Sequence, residues 1–154
     1  MNAWLPSASV LLLAGLFPVV WGVATGSLGR RVVAQNFGTS VVCLVMLLLA
    51  QGYHRPAYTD LALVLAVLGP VGTLVYARLL ADELGEAPPK AQLPTVLAAA
   101  ATVPVVIASC VAAGPGRAAV KLVVVGVLLV AGNVISSRTL SGAYLEPPSE
   151  ARRD

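Results

Sequence analysis

Charged side chains are scarce in this chain of 154 residues: 11% are Asp, Glu, Lys or Arg, against about 25% in a soluble globular domain. Hydrophobic residues make up 58%, and the mean hydropathy is +0.87. So little polar surface cannot enclose a water-soluble core, which excludes a soluble domain of useful size. The net charge of +3 is too small to indicate a nucleic-acid partner.

Groups that usually carry catalysis are also missing. The chain has one histidine, His54, and two cysteines, Cys43 and Cys110, with no CxxC or Cys/His spacing. Neither HExxH, GxSxG nor a glycine-rich phosphate loop occurs. We therefore expect no enzymatic activity, no metal site and no cofactor, and we interpret both cysteines as small apolar packing residues.

Long apolar runs dominate what remains, and each is long enough to cross hydrocarbon, which takes about 20 residues. Backbone polar groups in lipid need internal partners, and the alternation of a barrel strand is absent, so the runs predict helices. The fold class is thus an all-α integral membrane protein with about five transmembrane helices. The predicted spans are Leu5–Gly26, Val32–Ala50, Leu61–Leu80, Leu93–Ala113 and Val120–Ser136.

The segment around Pro88-Pro89 divides the chain, because two prolines cannot continue a helix. We predict a three-helix membrane bundle over residues 1–85, a cytoplasmic linker over 86–92, a two-helix hairpin over 93–145 and a cytoplasmic tail over 146–154. No basic residue precedes the first apolar run, so we expect that run to remain in the mature protein rather than act as a signal peptide.

The distribution of basic residues predicts the orientation. With five spans, seven Lys/Arg fall on one side of the membrane and three on the other. The richer side is predicted to be cytoplasmic, which places the N-terminus outside and the C-terminus inside a bacterial plasma membrane. The seven are Arg30, Arg31, Arg78, Lys90, Arg138, Arg152 and Arg153; the three are Arg55, Arg117 and Lys121.

Four polar residues lie close together in the second span: Gln35, Asn36, Thr39 and Ser40. The i, i+4 spacing of Asn36 with Ser40, and of Gln35 with Thr39, places each pair on one helix face. The patch predicts either a polar lining for an ion path or hydrogen bonds between helices. No acid accompanies it.

Two charged residues lie near span ends. Asp60 is either a cation or proton waypoint at the external mouth or a first-turn acid favoured by the helix dipole. Lys121 either extends its stem to the surface or lies between helices as a buried base.

Small residues predict helix packing at two places. Gly22 and Gly26 form a GxxxG pair, which permits close approach of two helices. Gly69 and Gly72 flank Pro70, which should bend the third helix because it lacks a backbone donor.

The stretches RRVVAQNFGTSVVCLVMLLL and YTDLALVLAVLGPVGTLVYARLL resemble the F-type component of the Mrp-type multisubunit cation/proton antiporters. The resemblance covers about residues 5–85. The pattern D-x-A-L-V-L-A-x-L-G-x-x-G-T that opens the family's third helix is carried by Asp60, Ala62, Gly69, Gly72 and Thr73.

A weaker resemblance concerns the C-terminal part. KLVVVGVLLVAGNVISSRTLSGAY is similar to the last helix and tail of the G-type component of the same complexes, in a shortened form. The "R-L-P-D" segment usual there is missing, and Arg138 stands where the family often has histidine. Lys121, Asn133, Ser136, Ser137 and Tyr144 carry this likeness.

Together the resemblances imply an accessory membrane component of a monovalent cation/proton antiporter, with larger pumping subunits as partners in the bilayer. Acids that the F-type component usually has near its second helix are replaced here by Gly29 and Gln35, which leaves Asp60 as the acidic candidate. Two alternatives are a stand-alone small homodimeric transporter, whose class needs an acid in the first helix that Leu5–Gly26 lacks, and a purely structural membrane scaffold.

Overall fold

The computed structural model describes residues 3–79 and 92–143, and within them it contains helices and no strand. Every helix is long and apolar enough to cross a membrane, which confirms the predicted all-α membrane fold. The chain is thus a multi-pass membrane protein. The helices are α1 Trp4–Thr25, α2 Leu28–Tyr53, α3 Ala57–Leu79, α4 Gln92–Ala113 and α5 Arg117–Ala143.

The second helix, α2, is the centre of the bundle. It contacts α1, α3, α4 and α5, whereas α1 packs closely only on α2 among the described helices. A core of buried side chains, including Leu44, Leu47, Leu122 and Val125, joins α2 to α5 and to the small Ala62 and Ala66 of α3. On the side of α2 away from α1, α5 contacts both α3 and α4.

Glycines bring α1 against α2. A Cβ added to Gly15 would meet the side chain of Val41, and one added to Gly22 would lie 2.9 Å from the Cβ of Ala34. Gly22 therefore packs within this chain. Its GxxxG partner Gly26 has another role: it is the extended C-cap of α1, and its carbonyl accepts a hydrogen bond of 3.0 Å from Nε of Arg31.

Helices α3 and α5 run in the same direction, since α4 returns the chain between them. Two contacts show that they lie in register. Lys121 pairs with Asp60 near the starts of both helices, and Gly132 packs against the Pro70 ring further along. A Cβ on Gly132 would overlap that ring, so glycine is what allows the two helices to approach here.

Because successive helices cross the bundle in opposite directions, their termini gather at two ends, named here after Arg30 and Asp60. The Arg30 end contains the first turn of α2 and the last turns of α3 and α5. The Asp60 end contains the last turn of α2, closed by the left-handed residue His54, and the first turns of α3 and α5. The predicted linker 86–92 lies outside the described residues except for Gln92, the first residue of α4, and so does the tail 146–154.

Candidate functional site

Polar residues of α2 and α5 form a hydrogen-bonded network inside the bundle. Nδ2 of Asn36 donates to Oδ1 of Asn133 at 2.8 Å. Nδ2 of Asn133 donates to Oγ of Ser40 at 3.1 Å and to the carbonyl of Leu129 at 3.0 Å. Ser40 donates to the backbone carbonyl of Asn36 at 3.2 Å. Asn133 and Ser40 are buried, so the network satisfies groups that would otherwise be costly in an apolar interior.

A cleft of about 140 Å³ lies between α2 and α3, next to this network and towards the Arg30 end. Three of the five predicted ion-path residues line it: Gln35, Asn36 and Thr39. Asp60 and Ser40 do not, and Ser40 accepts a hydrogen bond from α5 instead. The whole lining is Val32, Gln35, Asn36, Thr39, Leu65, Leu68, Gly69, Gly72, Thr73 and Tyr76.

The two glycines of α3 that were predicted to pack differ in their surroundings. A Cβ on Gly69 would lie 2.9 Å from Cγ2 of Thr39 and 3.7 Å from Oδ1 of Asn36, so Gly69 permits close approach of α2 and α3. A Cβ on Gly72 would meet no atom within 4 Å. Gly72 thus leaves the cleft open rather than bringing helices together.

Asp60 and Lys121 form an ion pair of 2.6 Å between the first turns of α3 and α5. Their side chains are 57% and 51% exposed, respectively. The Lys121 ammonium therefore lies at the surface of the described bundle. Nine residues separate Asp60 from Gly69, or about 14 Å along a helix, so the pair is not part of the cleft.

Asn133 and Thr73 belong to the site, although the residue pattern alone did not single them out as site residues. Asn133 is an amide within the predicted fifth span, which is a signal for a buried partner. Nothing in its spacing indicates which helix supplies that partner. Thr73 lies one turn beyond Gly69 and donates to its carbonyl at 3.2 Å. Within the described ranges no group of His, Cys, Asp or Glu could hold a metal ion.

Comparison with known families gives one informative match. Residues 30–81 match the model of the family Multiple resistance and pH regulation protein F (MrpF / PhaF). This segment is about a third of the chain, and it contains α2 almost entirely and all of α3. All cleft-lining residues and Asp60 fall inside it, whereas Lys121 and Asn133 fall outside.

The match supports the resemblance to the F-type antiporter component over that segment. The similarity of the C-terminal part to the G-type component stays a prediction, because the matched residues end before α4. The searches of curated proteins and of solved structures gave no match.

Proposed function

We propose that this chain is an accessory membrane component of a multisubunit monovalent cation/proton antiporter, packed beside larger pumping subunits and lining part of the cation path. The observation that carries the proposal is the overlap between the matched segment and the cleft: the family resemblance falls on the two helices that form it. We also propose that the chain has no catalytic activity of its own.

The charges of the chain support a partner-dependent role. Asp60 is the one acidic residue in the described ranges, and it is paired with Lys121 at the surface of the bundle. Proton-coupled transport needs titratable groups along the path through the membrane. Because the described helices hold no acidic group beside the cleft, proton handling belongs to other subunits in this proposal.

The surface of the bundle supports the same role. Gln35 lies within a predicted span, lines the cleft and is exposed on the surface of the described bundle. An amide that faces hydrocarbon is unfavourable unless it finds a hydrogen-bond partner. A neighbouring helix from a larger subunit would supply that partner and close the open side of the cleft.

Orientation is part of the proposal. We place the Arg30 end in the cytoplasm of a bacterial cell and the Asp60 end outside, because Arg30, Arg31, Arg78 and Arg138 share the first end. Reporter fusions after Asp154 and within the loop at His54 test this: the C-terminal fusion should be active only with a cytoplasmic reporter.

Co-purification tests the assembly. The tagged chain is extracted in mild detergent, and its membrane partners are identified by mass spectrometry, with an unrelated tagged five-span protein as control. We expect large multi-helix antiporter-like subunits in fixed proportion. Recovery of a homo-oligomer alone would overturn the proposal in favour of the small stand-alone transporter.

Substitutions at Asp60 distinguish a role of this residue in the cation path from a purely structural role of the chain. Asp60→Asn removes the charge but also leaves Lys121 without its ion-pair partner, so Lys121→Met and the double variant are needed. If Asp60 is a waypoint, cation flux falls in Asp60→Asn and stays low in the double variant, with assembly intact. Flux restored in the double variant would assign the pair to structure, and unchanged flux throughout would favour the scaffold.

A further inference from the structure

We infer that the cleft between α2 and α3 binds a monovalent cation through neutral oxygen atoms, and that Asn133 of α5 is the positioning residue that turns Asn36 towards it. The inference deepens the proposed function and rests on it for the transported ion. It is based on which groups donate and which accept in the hydrogen bonds around the cleft.

The orientation of the Asn133 amide follows from its neighbours. The Leu129 carbonyl can only accept a hydrogen bond, so the atom of Asn133 that lies 3.0 Å from it must be the amide nitrogen. The oxygen of Asn133 then lies on the other side, where it accepts from Asn36 at 2.8 Å. Ser40 agrees with this assignment, since its own proton goes to the Asn36 carbonyl and its oxygen is left to accept from Asn133.

These hydrogen bonds fix the orientation of the Asn36 side-chain amide. Its amide nitrogen is held by Asn133, so its Oδ1 faces the opposite way, towards Gly69 and the cleft. A side chain at position 69 would approach this oxygen, with a Cβ 3.7 Å from it. The missing side chain of Gly69 therefore keeps the Asn36 oxygen accessible from the cleft.

The two threonines of the cleft also present acceptors. A hydroxyl has a single proton to donate. Thr39 gives that proton to the Gln35 carbonyl at 3.1 Å, and Thr73 gives it to the Gly69 carbonyl at 3.2 Å. Both hydroxyl oxygens keep lone pairs for a ligand. Asn36 and Thr73 thus carry acceptors on the two helices that line the cleft, and Gln35, Thr39 and Tyr76 of the lining each carry an oxygen as well. The side of Thr39 that faces Gly69 is its methyl group.

A cleft lined by acceptors fits a cation. Its volume of about 140 Å³ exceeds that of a bare ion and leaves room for some of the hydration water, at roughly 30 Å³ for each molecule. Without an acid among the lining residues, and with Arg30, Arg31 and Arg78 at the same end, we expect weak binding, with a Kd on the order of millimolar or higher. Weak binding suits an ion that passes through.

Sodium-23 NMR on the purified full-length chain in nanodiscs tests the inference. We expect a line broadening beyond that of empty nanodiscs, removed by K⁺ and not by choline at equal ionic strength. Asn36→Leu and Thr73→Val should each weaken binding roughly tenfold, the effect of losing one good ligand. Thr102→Val and Gln51→Leu are matched controls, because Thr102 bonds to Ala98 within α4 and Gln51 bonds to Ser109, both away from the cleft.

A rescue experiment tests the positioning role. Asn133→Leu should weaken binding, because Asn36 is then free to turn its nitrogen towards the cleft. Adding Asn36→Asp should restore it, since both oxygens of a carboxylate accept and no orientation is needed. Asn36→Asp is made together with Asn133→Leu because, alone, it would set a carboxylate oxygen against Oδ1 of Asn133. Tighter binding in the double variant than in Asn133→Leu is a gain that misfolding cannot produce.

The outcomes separate the inference from the proposed function. No broadening above empty nanodiscs, or equal broadening in Asn36→Leu, overturns the cation site even if the chain still co-purifies with antiporter subunits. A failed rescue overturns the positioning role of Asn133. If Asn36→Leu abolishes co-purification while the natural chain shows no broadening, the ligand of the cleft is a donor side chain of a partner helix instead of an ion.

Discussion

The close contact between Gly132 and Pro70 predicts a graded series of glycine-to-alanine effects. A Cβ on Gly132 overlaps the proline ring, which is rigid and cannot rotate away. The cost should approach that of overpacking a well-packed interior, about 1–3 kcal/mol. At Gly69 the opposing atom is Cγ2 of Thr39 at 2.9 Å, on a side chain that can shift by rotation, so we expect a smaller loss.

Gly72 is the matched control for this series, because it also lies within α3 and a Cβ there meets nothing within 4 Å. Alanine at Gly72 should leave stability unchanged or raise it by up to about 1 kcal/mol, the propensity difference measured in water. Each variant is unfolded reversibly in mixed micelles with increasing SDS, and helical circular dichroism is followed. The expected order of loss is Gly132, then Gly69, then Gly72. An equal loss for Gly72→Ala and Gly132→Ala would refute the packing of α5 on α3.

Three further outcomes follow from the contacts. Asn133→Leu removes three hydrogen bonds and should lower the free energy of unfolding in the same assay by about 1–3 kcal/mol. Gln51→Leu removes one hydrogen bond of 3.5 Å and should lower it by less; equal losses for the two variants would contradict the network. Asp60→Asn should change stability by less than about 1 kcal/mol, because the pair with Lys121 is half exposed, and a larger loss would show that the pair is shielded from water. Ser136→Ala should be neutral or stabilising, because its buried hydroxyl has no hydrogen-bond partner among the described residues; a clear loss would reveal one.

Helix number could be read from the sequence because each apolar run approaches the thickness of a bilayer and is bounded by polar loops. The ends were less accurate: α2 begins at Leu28 and α5 at Arg117, several residues before the predicted spans. Helices continue past the hydrocarbon into polar surroundings, where hydropathy no longer marks them. The positions of these ends change no assignment of the fold.

Side-chain partners could not be read in the same way. The helices are apolar on all sides, so no amphipathic pattern indicates which face is buried. Asn36 and Asn133 are 97 residues apart, and Asp60 and Lys121 are 61 apart. Spacing within one helix predicted the stacking of Asn36 with Ser40, but the partner on α5 depends on how the helices assemble.

The distance in sequence between Asn36 and Asn133 has a consequence for synthesis. Chains emerge at about 5–20 residues per second, so α2 enters the membrane roughly 5–20 s before the amide that satisfies Asn36 is made. During that interval its amide needs water, the insertion machinery or a helix of another protein as a temporary partner. The order in which the helices are synthesised therefore makes α2 the part of the nascent chain most dependent on assistance, until α5 arrives.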